Sequence, residues 1–338
     1  MRAYQLPKVG AGADALTIVE RPMPKPQYRQ VLVKVAACSL NFRDYMIVRG
    51  TYPMAARENL VPLSDGAGEV VEVGAGVIRV KPGDKVAGCF FQRWPGGEPG
   101  AHLQAFALGG SVDGMLAEYV VLEEDGVVKL PAHLSLEEGA TLPCAAVTAW
   151  HAMFHHAGLI AGQTVLLQGT GGVSIFGLQF AHAMGITAII TSSSDEKLER
   201  AKALGAAHVI NYKTTPEWDK AAIELNGGRG VDHVLEVGGK DTLTRSFGAI
   251  RVNGKVSIIG ALSGRAQEFN PGLIFGKRAN VQGISVGSTE TFEQMNAAIA
   301  GNKIKPVIDR VFGFDEVKAA LAHMGAGAHF GKIVIRVG

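Results

Sequence analysis

Cysteines are scarce in this sequence, and it has neither a long apolar run nor an excess of charge of one sign. Three cysteines in 338 residues are too few and too odd in number for a disulfide framework, so we expect a reducing compartment, the cytoplasm. Lys and Arg total 33 against 31 Asp and Glu, which leaves no basic footprint for nucleic acid. No apolar run reaches the roughly 18 residues of a membrane helix, and the first residues lack the apolar core of a secretory signal.

Hydrophobic residues and glycine, by contrast, are abundant. The chain is 47% hydrophobic and 19% charged, which excludes an intrinsically disordered protein. Its length suggests about two domains. The 44 glycines indicate many tight turns or close backbone approaches.

The first 130 residues read as short strands separated by Gly and Pro turns, a pattern typical of an all-β, barrel-like domain. The predicted strands are Val31–Val35, Gly68–Val73, Lys85–Ala87 and Ala117–Leu122.

From about residue 145 to 287 the pattern alternates between apolar strands and helices, which predicts a doubly wound parallel sheet covered on both faces. The predicted strands are Thr164–Gln168, Thr187–Thr191, His208–Asn211, Val231–Glu236, Lys255–Ile259 and Val281–Ser285. The predicted helices are Val173–Met184, Asp195–Leu204, Trp218–Leu225 and Asp241–Ile250. A helix at Phe292–Ala300 and a strand at Lys332–Val337 are expected to return to the first domain. We therefore predict one domain from 1–130 with 288–338, and a nucleotide-binding domain from 131–287.

A glycine-rich motif directly follows the apolar strand at 164–168. It consists of Gly169, Thr170, Gly171, Gly172, Val173 and Ser174, and it opens a predicted helix. The glycines would let the backbone approach a pyrophosphate, and the helix N-terminus offers N–H groups to the anion. The third fingerprint glycine is replaced by Ser174, so a packing turn is the alternative reading. The surrounding strands and helices favour a dinucleotide site.

The end of the next strand indicates which dinucleotide binds. An NAD site needs an acidic residue about 20 residues after the glycines, but Ser192 and Ser193 stand there, and Asp195 falls in the following helix. The serine hydroxyls, the helix N-terminus and Lys197 would suit the 2′-phosphate of NADP. Alternatively, the serines only cap the helix and Lys197 is a solvated charge.

Several segments together resemble the medium-chain dehydrogenase/reductase superfamily, nearer its zinc-free, quinone-oxidoreductase-like members than its zinc alcohol dehydrogenases. They are Asn41–Asp44, Arg49–Pro53, Gly66–Gly74, Val80–Gly88, Leu142–Trp150, the motif at 169–174, Lys197 with Tyr212, Val286–Ser288 and Phe330–Lys332. The resemblance covers essentially the whole chain. It implies a GroES-like domain plus a Rossmann domain, and it implies that Lys197 and Tyr212 meet the 2′-phosphate. Further residues implied to bind the cofactor are Thr148, Val237, Gly260, Ala261, Ser285, Val286 and Phe330, for each of which ordinary packing is the alternative.

The resemblance also bears on zinc. Zinc-dependent relatives carry Cys-His-Thr-Asp where this chain has Asn41–Asp44, and Gly-His-Glu where it has Leu63–Asp65. Only Cys144 matches a ligand position, whereas a catalytic zinc needs about three N, S or O ligands. We therefore expect no metal, and we expect Cys144 to be a buried apolar residue.

Hydride transfer to a conjugated acceptor can proceed without a Lewis acid, given position and a dry pocket. The resemblance offers Tyr52 as proton donor and Asn41 as the group that orients the acceptor carbonyl, although Tyr52 could equally be a pocket wall. Phe90, Phe91 and Trp94 are candidates for an aromatic acceptor pocket or for anchors of their loop. We expect an NADPH-dependent reductase of quinones or α,β-unsaturated carbonyls. The alternatives are an alcohol dehydrogenase or aldehyde reductase, and a non-catalytic NADPH-binding protein.

The apolar segment Val281–Val286 is predicted to be an edge strand that pairs with its copy, as in the family, so we expect a homodimer.

Overall fold

The computed structural model describes residues 1–53, 57–264 and 270–338. The chain divides into two compact units, residues 1–147 with 286–338, and residues 148–285. Residues 131–147, predicted to belong to the nucleotide-binding domain, pack in the first unit, where the helix at Leu136–Ala140 lies against four of its strands.

In chain order, the described strands are β1 Arg2–Gln5, β2 Thr17–Glu20, β3 Gln30–Leu40, β4 Asp65–Val73, β5 Lys85–Gly88, β6 Tyr119–Glu123, β7 Val127–Lys129, β8 Thr164–Gln168, β9 Thr187–Ser192, β10 His208–Asn211, β11 Val231–Glu236, β12 Ile250–Ile258, β13 Asn280–Gly283, β14 Ile308–Phe312 and β15 Lys332–Arg336. The described α-helices are α1 Phe42–Arg49, α2 Leu136–Ala140, α3 Val147–Trp150, α4 Gly172–Ala183, α5 Asp195–Ala203, α6 Trp218–Leu225, α7 Leu243–Ala249, α8 Gly272–Lys277, α9 Thr289–Asn302 and α10 Val317–Gly325.

The first unit is built on a mainly antiparallel sheet with the order β14-β15-β3-β4-β5-β7, and β6 also pairs with β3. The long strand β3 carries β-branched and aliphatic residues that are almost all buried, as expected for a strand covered by a core. The C-terminal strand β15 pairs antiparallel with the end of β3, with Ile333 opposite Leu40. The chain's last strand is therefore joined to the segment that opens α1.

Helix α1 starts immediately after β3 because Asn41 and Asp44 form its N-terminal cap. The Asn41 backbone N–H donates to Asp44 Oδ2 at 2.9 Å, which is the return bond of a capping box. The helix ends at Gly50, whose φ of 70° is left-handed and suits glycine. This cap fixes Asn41 at the junction of strand and helix.

The second unit contains a parallel sheet with the described order β10-β9-β8-β11-β12-β13, the order of a doubly wound dinucleotide-binding fold. All five residues of β8 are buried. Helix α4 buries Ile175, Phe176, Leu178 and Phe180, and each such side chain contributes roughly 1.5–3 kcal/mol. The carboxyl ends of β8 and β11, where the strand order reverses, mark the expected ligand crevice.

The predicted bounds of β8, β10, β11 and α6 are confirmed residue for residue. The strand predicted over Val281–Ser285 is shorter in the structure and ends at Gly283, and Val286 has a φ of 54°, which no strand accommodates. The helix predicted over Asp241–Ile250 stops at Ala249 because Ile250 begins β12. Short elements without a marked period, such as α1, β14 and α8, were not predicted.

Across the described residues, none of the helices combines the length and the apolar character that crossing a membrane requires.

Candidate functional site

The glycine motif of the second unit forms an open cradle at the end of β8. Gly169 has a φ of 69°, and no described atom beyond its chain neighbours lies within 4 Å of the position that a Cβ would take there or at Gly171. Helix α4 begins at Gly172, with Gly171 as its N-cap and no capping side chain. The N–H groups of the first turn are therefore offered to a ligand, and the backbone leaves room for a pyrophosphate.

Ser174, in the place of the third fingerprint glycine, has its own role. Its hydroxyl donates to the Gln168 carbonyl oxygen at 2.6 Å and ties the helix to the strand end. The close approach of helix and sheet occurs one turn later, at Gly177, where a Cβ would lie 3.0 Å from Leu167 and 3.2 Å from Leu235. The motif thus keeps the geometry of the dinucleotide fingerprint, and the glycine that lets the helix pack closely on the sheet is Gly177 instead of residue 174.

A buried polar network at the switch point was not predicted from the sequence. Gln168 Nε2 donates to Glu236 Oε2 at 2.8 Å, and Gln168 Oε1 accepts the N–H groups of Val237 and Gly238, each at 3.2 Å. Glu236 Oε1 accepts from the N–H groups of Gly238 and Gly239 at 2.8 and 2.9 Å. The ends of β8 and β11 are therefore fixed together, which positions the predicted cofactor residue Val237. The only signal in the sequence is a polar residue at the end of each of two apolar strands.

The end of β9 brings together the residues predicted to meet the 2′-phosphate. The Tyr212 N–H donates to the Ser192 carbonyl oxygen at 3.0 Å, so Tyr212 lies beside Ser192, with its side chain 42% exposed. Ser194 caps α5 by accepting the Lys197 N–H at 3.3 Å, which places Lys197 in the first turn. Asp195 accepts from Asn211 Nδ2 at 2.7 Å.

The other predicted cofactor residues are spread over both units. In the second unit, Gly260 lies against Val237, whose carbonyl oxygen is 2.7 Å from the position of a Cβ there. Thr148 and Thr170 are buried, whereas Ser193 and Ala261 are half-buried and Ser285 is exposed. Val286 and Phe330 belong to the first unit, where the Phe330 N–H donates to Asp309 Oδ1 at 3.1 Å.

The residues at the strand ends of the second unit fit a nicotinamide dinucleotide. The open cradle at Gly169 and Gly171 would hold the pyrophosphate, and the end of β9 would hold the adenosine ribose. When bound, the nicotinamide would supply or accept a hydride.

A chain of buried polar groups surrounds Asn41 in the first unit. Lys332, only 3% exposed, donates from Nζ to Asn41 Oδ1 and to the Leu40 carbonyl oxygen, both at 2.7 Å. Asn41 Nδ2 donates to Ser64 Oγ at 3.4 Å. Ser64 in turn donates to Asp65 Oδ1 at 2.8 Å. Two of the positions compared with zinc ligands, 41 and 64, are thus joined by hydrogen bonds.

Zinc does not fit these residues. The Lys332 ammonium is bonded to the Asn41 oxygen and would repel a divalent cation. The Asn41 amide and the Ser64 hydroxyl are also poor replacements for a thiolate and an imidazole. Cys144 is the one residue that matches a ligand position, and its backbone N–H donates to Asp65 Oδ2 at 3.0 Å. Burial raises the pKa of its thiol well above the ordinary value, so the metal-binding thiolate is disfavoured.

Two buried carboxylates lie beside this chain of polar groups. Burial raises the pKa of Asp65, an effect that Lys332, Asn41 and Ser64 partly offset. Burial also raises the pKa of Asp44, to about 6, against the opposing influence of the Arg43 guanidinium, whose Nη1 lies 3.8 Å from Asp44 Oδ1. Asp44 therefore titrates in the folded protein close to neutral pH.

The raised pKa of Asp44 predicts how stability depends on pH. An unfolded chain ionises Asp near 3.9, so between about pH 4 and 6 the folded state holds more protons and the free energy of unfolding falls as pH rises. Asp44→Asn abolishes this loss. We expect the melting temperature of the variant minus that of the parent to increase from pH 4.5 to 7.5, equivalent to about 2 kcal/mol.

Asp84→Asn provides a control of opposite sign. Although burial alone would raise it, the pKa of Asp84 is lowered by its bonds to Lys129 and to the Lys81 N–H. The melting temperature of this variant minus that of the parent should therefore decrease as pH rises towards about 4.5, and it should stay nearly constant from pH 4.5 to 7.5, where Asp84 is ionised in both the folded and the unfolded chain. A difference for Asp44→Asn that stays constant or falls between pH 4.5 and 7.5 would contradict the assignment.

Tyr52, the predicted proton donor, is linked to Asn41 through Arg43 and Asp44. The Arg43 guanidinium carbon lies 5.3 Å from the centre of the Tyr52 ring and 4.6 Å from that of Phe90. Arg43 Nη1 also donates to the Leu108 carbonyl oxygen at 2.8 Å. The half-buried Tyr52 ring is thereby held against the segment 89–113.

The aromatic residues of that segment serve as anchors. Phe90, Phe91 and Trp94 are each at most 5% exposed, and Phe90 packs edge-on against Phe91 with ring centres 4.7 Å apart. Trp94 donates to the Gly97 carbonyl oxygen at 2.9 Å. Of the two alternatives stated from the sequence, loop anchoring therefore describes these rings.

Comparisons with known proteins agree with this geometry. Residues 27–132 match the alcohol dehydrogenase GroES-like domain, and residues 172–301 match the zinc-binding dehydrogenase family. A zinc-type alcohol dehydrogenase-like protein of Schizosaccharomyces pombe is 44% identical over 97% of this chain and 96% of its own length. A quinone oxidoreductase of Rattus norvegicus is 31% identical over 99% and 97%. The crystal structure of a putative alcohol dehydrogenase from Sinorhizobium meliloti superposes with a TM-score of 0.92 at 41% identity, covering 100% and 99% of the two chains.

The predicted fold class, a GroES-like domain with a Rossmann parallel sheet, is confirmed by these matches. The open glycine cradle, the strand order of the sheet and the matches over both units together show that the chain belongs to the medium-chain dehydrogenase/reductase superfamily and is an oxidoreductase of that type.

Proposed function

We propose that this protein is an NADPH-dependent oxidoreductase that transfers hydride to a quinone or an α,β-unsaturated carbonyl without zinc. The observation that carries the proposal is the Lys332 ammonium, 2.7 Å from Oδ1 of Asn41, the residue at the position of a zinc ligand in zinc-dependent relatives. A site without a Lewis acid is suited to acceptors whose oxygen is conjugated to the carbon that receives the hydride, because the charge is delocalised onto that oxygen.

The first unit supplies the acceptor-binding groups in this proposal. Asn41 Nδ2 donates a hydrogen bond to the acceptor oxygen and stabilises the negative charge that develops there. Tyr52, held in place by Arg43, supplies the proton to the reduced acceptor. The buried surroundings of Asn41, which is 8% exposed, limit the competing access of water.

The preference for NADPH is supported by the residues at the end of β9. Asp195 is engaged by Asn211 at 2.7 Å, so its carboxylate is already used as an acceptor. Ser192, Ser193, Lys197 and Tyr212 cluster at the same strand end and would surround a 2′-phosphate with donors. Gly169 to Val173 would hold the pyrophosphate.

A panel of acceptors tests the proposal. NADPH oxidation is measured with an ortho-quinone, a simple enone and an aliphatic aldehyde, with NADH in parallel. We expect turnover of the quinone or the enone, and a kcat/KM for NADPH at least about tenfold above that for NADH. Turnover of the aldehyde alone would instead favour the alcohol dehydrogenase reading, and tight NADPH binding without turnover would favour a binding protein.

We further propose that the protein is a homodimer formed through β13. This strand lies at the edge of the described parallel sheet, and Asn280, Gln282 and Gly283 are exposed on it. An exposed edge is a template for a second copy of the strand. Light scattering at micromolar concentration should give twice the chain's 35.5 kDa, and a monomeric mass would refute the dimer.

A further inference from the structure

Lys332 is a lysine that the fold itself places in the interior. It opens β15, whose pairing with β3 sets Ile333 opposite Leu40, and it is 3% exposed. Burying an ammonium is costly unless it is bonded and paired. Its Nζ donates to the Leu40 carbonyl oxygen and to Asn41 Oδ1 at 2.7 Å each, and Asp65 lies close enough for Lys332 to lower its pKa.

The chemistry of both ends of this hydrogen-bond chain fixes its direction. An ammonium only donates, so the Asn41 atom that faces Lys332 must be the carbonyl oxygen, and Nδ2 lies on the other side. At the far end Asp65 accepts from Ser64 Oγ at 2.8 Å and from the Cys144 N–H at 3.0 Å. Because Ser64 gives its hydrogen to Asp65, its lone pairs face Asn41 Nδ2.

The bond from Lys332 makes the Asn41 amide a stronger hydrogen-bond donor. An amide whose oxygen is bound to a cation is polarised, and its N–H becomes a stronger donor. Nδ2 carries two N–H groups. They face Ser64 at the long distance of 3.4 Å and Asp65, whose pKa Asn41 lowers through a side-chain hydrogen bond, so the acceptor oxygen would take the N–H that now faces Ser64.

We propose that Lys332 is a positioning residue for the reaction: it holds the Asn41 amide with its oxygen inward, so that the polarised Nδ2 is the atom that meets the oxygen of the acceptor. The inference rests on the proposed function, in which Asn41 contacts that oxygen. Lys332 itself acts through Asn41 and not on the acceptor.

Lys332→Met tests the role because methionine has a similar length and no charge. We expect kcat with the enone to fall about 10- to 100-fold, while the Kd for NADPH stays within about twofold. Lys255→Met is the matched control, since Lys255 also donates to a main-chain carbonyl oxygen, that of Ala157 at 2.7 Å, but lies in the other unit. It should leave kcat unchanged.

A double-mutant cycle with Asn41→Ala separates positioning from general destabilisation. If Lys332 acts through Asn41, Lys332→Met costs less than about threefold in kcat once Asn41 is alanine. An undiminished cost in that background would overturn the inference, and so would a Lys332→Met enzyme that keeps its kcat while Asn41→Ala loses it.

A spectroscopic measurement gives a result that does not depend on turnover. With ¹⁵N-asparagine labelling, the Asn41 side-chain amide signal is the pair that disappears in Asn41→Ala. We expect this pair to shift in Lys332→Met and to stay in place in Lys255→Met. If the signal does not shift, the inference that Lys332 orients the Asn41 amide is wrong. If the signal shifts but the protein reduces no acceptor on the panel, only the proposed function has failed.

A second variant covers the case in which Lys332→Met does not fold. Lys332→Met combined with Asp65→Asn removes the cation together with the buried carboxylate that it faces, so no uncompensated charge remains. The same loss of kcat and the same shift of the amide signal are expected, and a folded double variant with the parent's kcat would contradict the proposal.

Discussion

Asn41→Ala is expected to lower kcat for the enone about 10²- to 10³-fold, the loss usual for removing one donor to a developing oxyanion. The Kd for NADPH should stay within about twofold, because the residues proposed to hold the phosphates lie elsewhere in the chain. Asn41→Asp should lose as much activity, since a carboxylate keeps the contact with Lys332, 2.7 Å away in the parent, but has no N–H to donate. Steady-state kinetics measure both losses of activity.

Asn296→Ala is the matched control for the loss of a buried asparagine. Asn296 lies in the same unit, is 7% exposed and donates to the Lys129 carbonyl oxygen at 3.0 Å. Its replacement should lower the melting temperature and leave kcat unchanged. Equal losses of kcat in the two variants, or an unchanged kcat in Asn41→Ala, would show that Asn41 does not contact the acceptor.

Lys197→Ala is expected to raise the KM for NADPH about 10- to 100-fold, the range for a charge-assisted hydrogen bond to phosphate. The kcat/KM for NADH, which lacks the 2′-phosphate, should change by less than about threefold. Lys202→Ala is the control on the same helix, because the Lys202 ammonium pairs with Glu199 at 2.7 Å on the exposed face. If kcat/KM falls equally for NADPH and NADH, Lys197 supports the fold and does not bind the 2′-phosphate.

The Rossmann unit was largely predictable because its signals are local. The strand at Thr164–Gln168, the glycines after it and the opening of α4 follow one another directly in the sequence, and the structure reproduces them. Ser192 and Tyr212 lie side by side because the parallel strands β9 and β10 end at the same edge, and their contact with the 2′-phosphate, which for Tyr212 the resemblance implied, stays a prediction.

The chain of polar groups around Asn41 was not predictable in this way, because its members are far apart in the sequence. Lys332 and Asn41 are separated by 291 residues, and only the pairing of β15 with β3 brings them together. The one signal available was a lysine at the head of an apolar strand. The aromatic residues at 90–94 are neighbours in the sequence, yet their role was not predictable either. Their apolar character did not indicate whether they would line a pocket or anchor a loop.

The most direct test of the central claim is enone reduction by enzyme purified and assayed in the presence of a strong zinc chelator. If Asn41, oriented by Lys332, stabilises the developing negative charge in place of a metal, kcat is the same with and without the chelator, and added Zn²⁺ does not raise it. A rate that is abolished by the chelator and restored by Zn²⁺ would contradict the account.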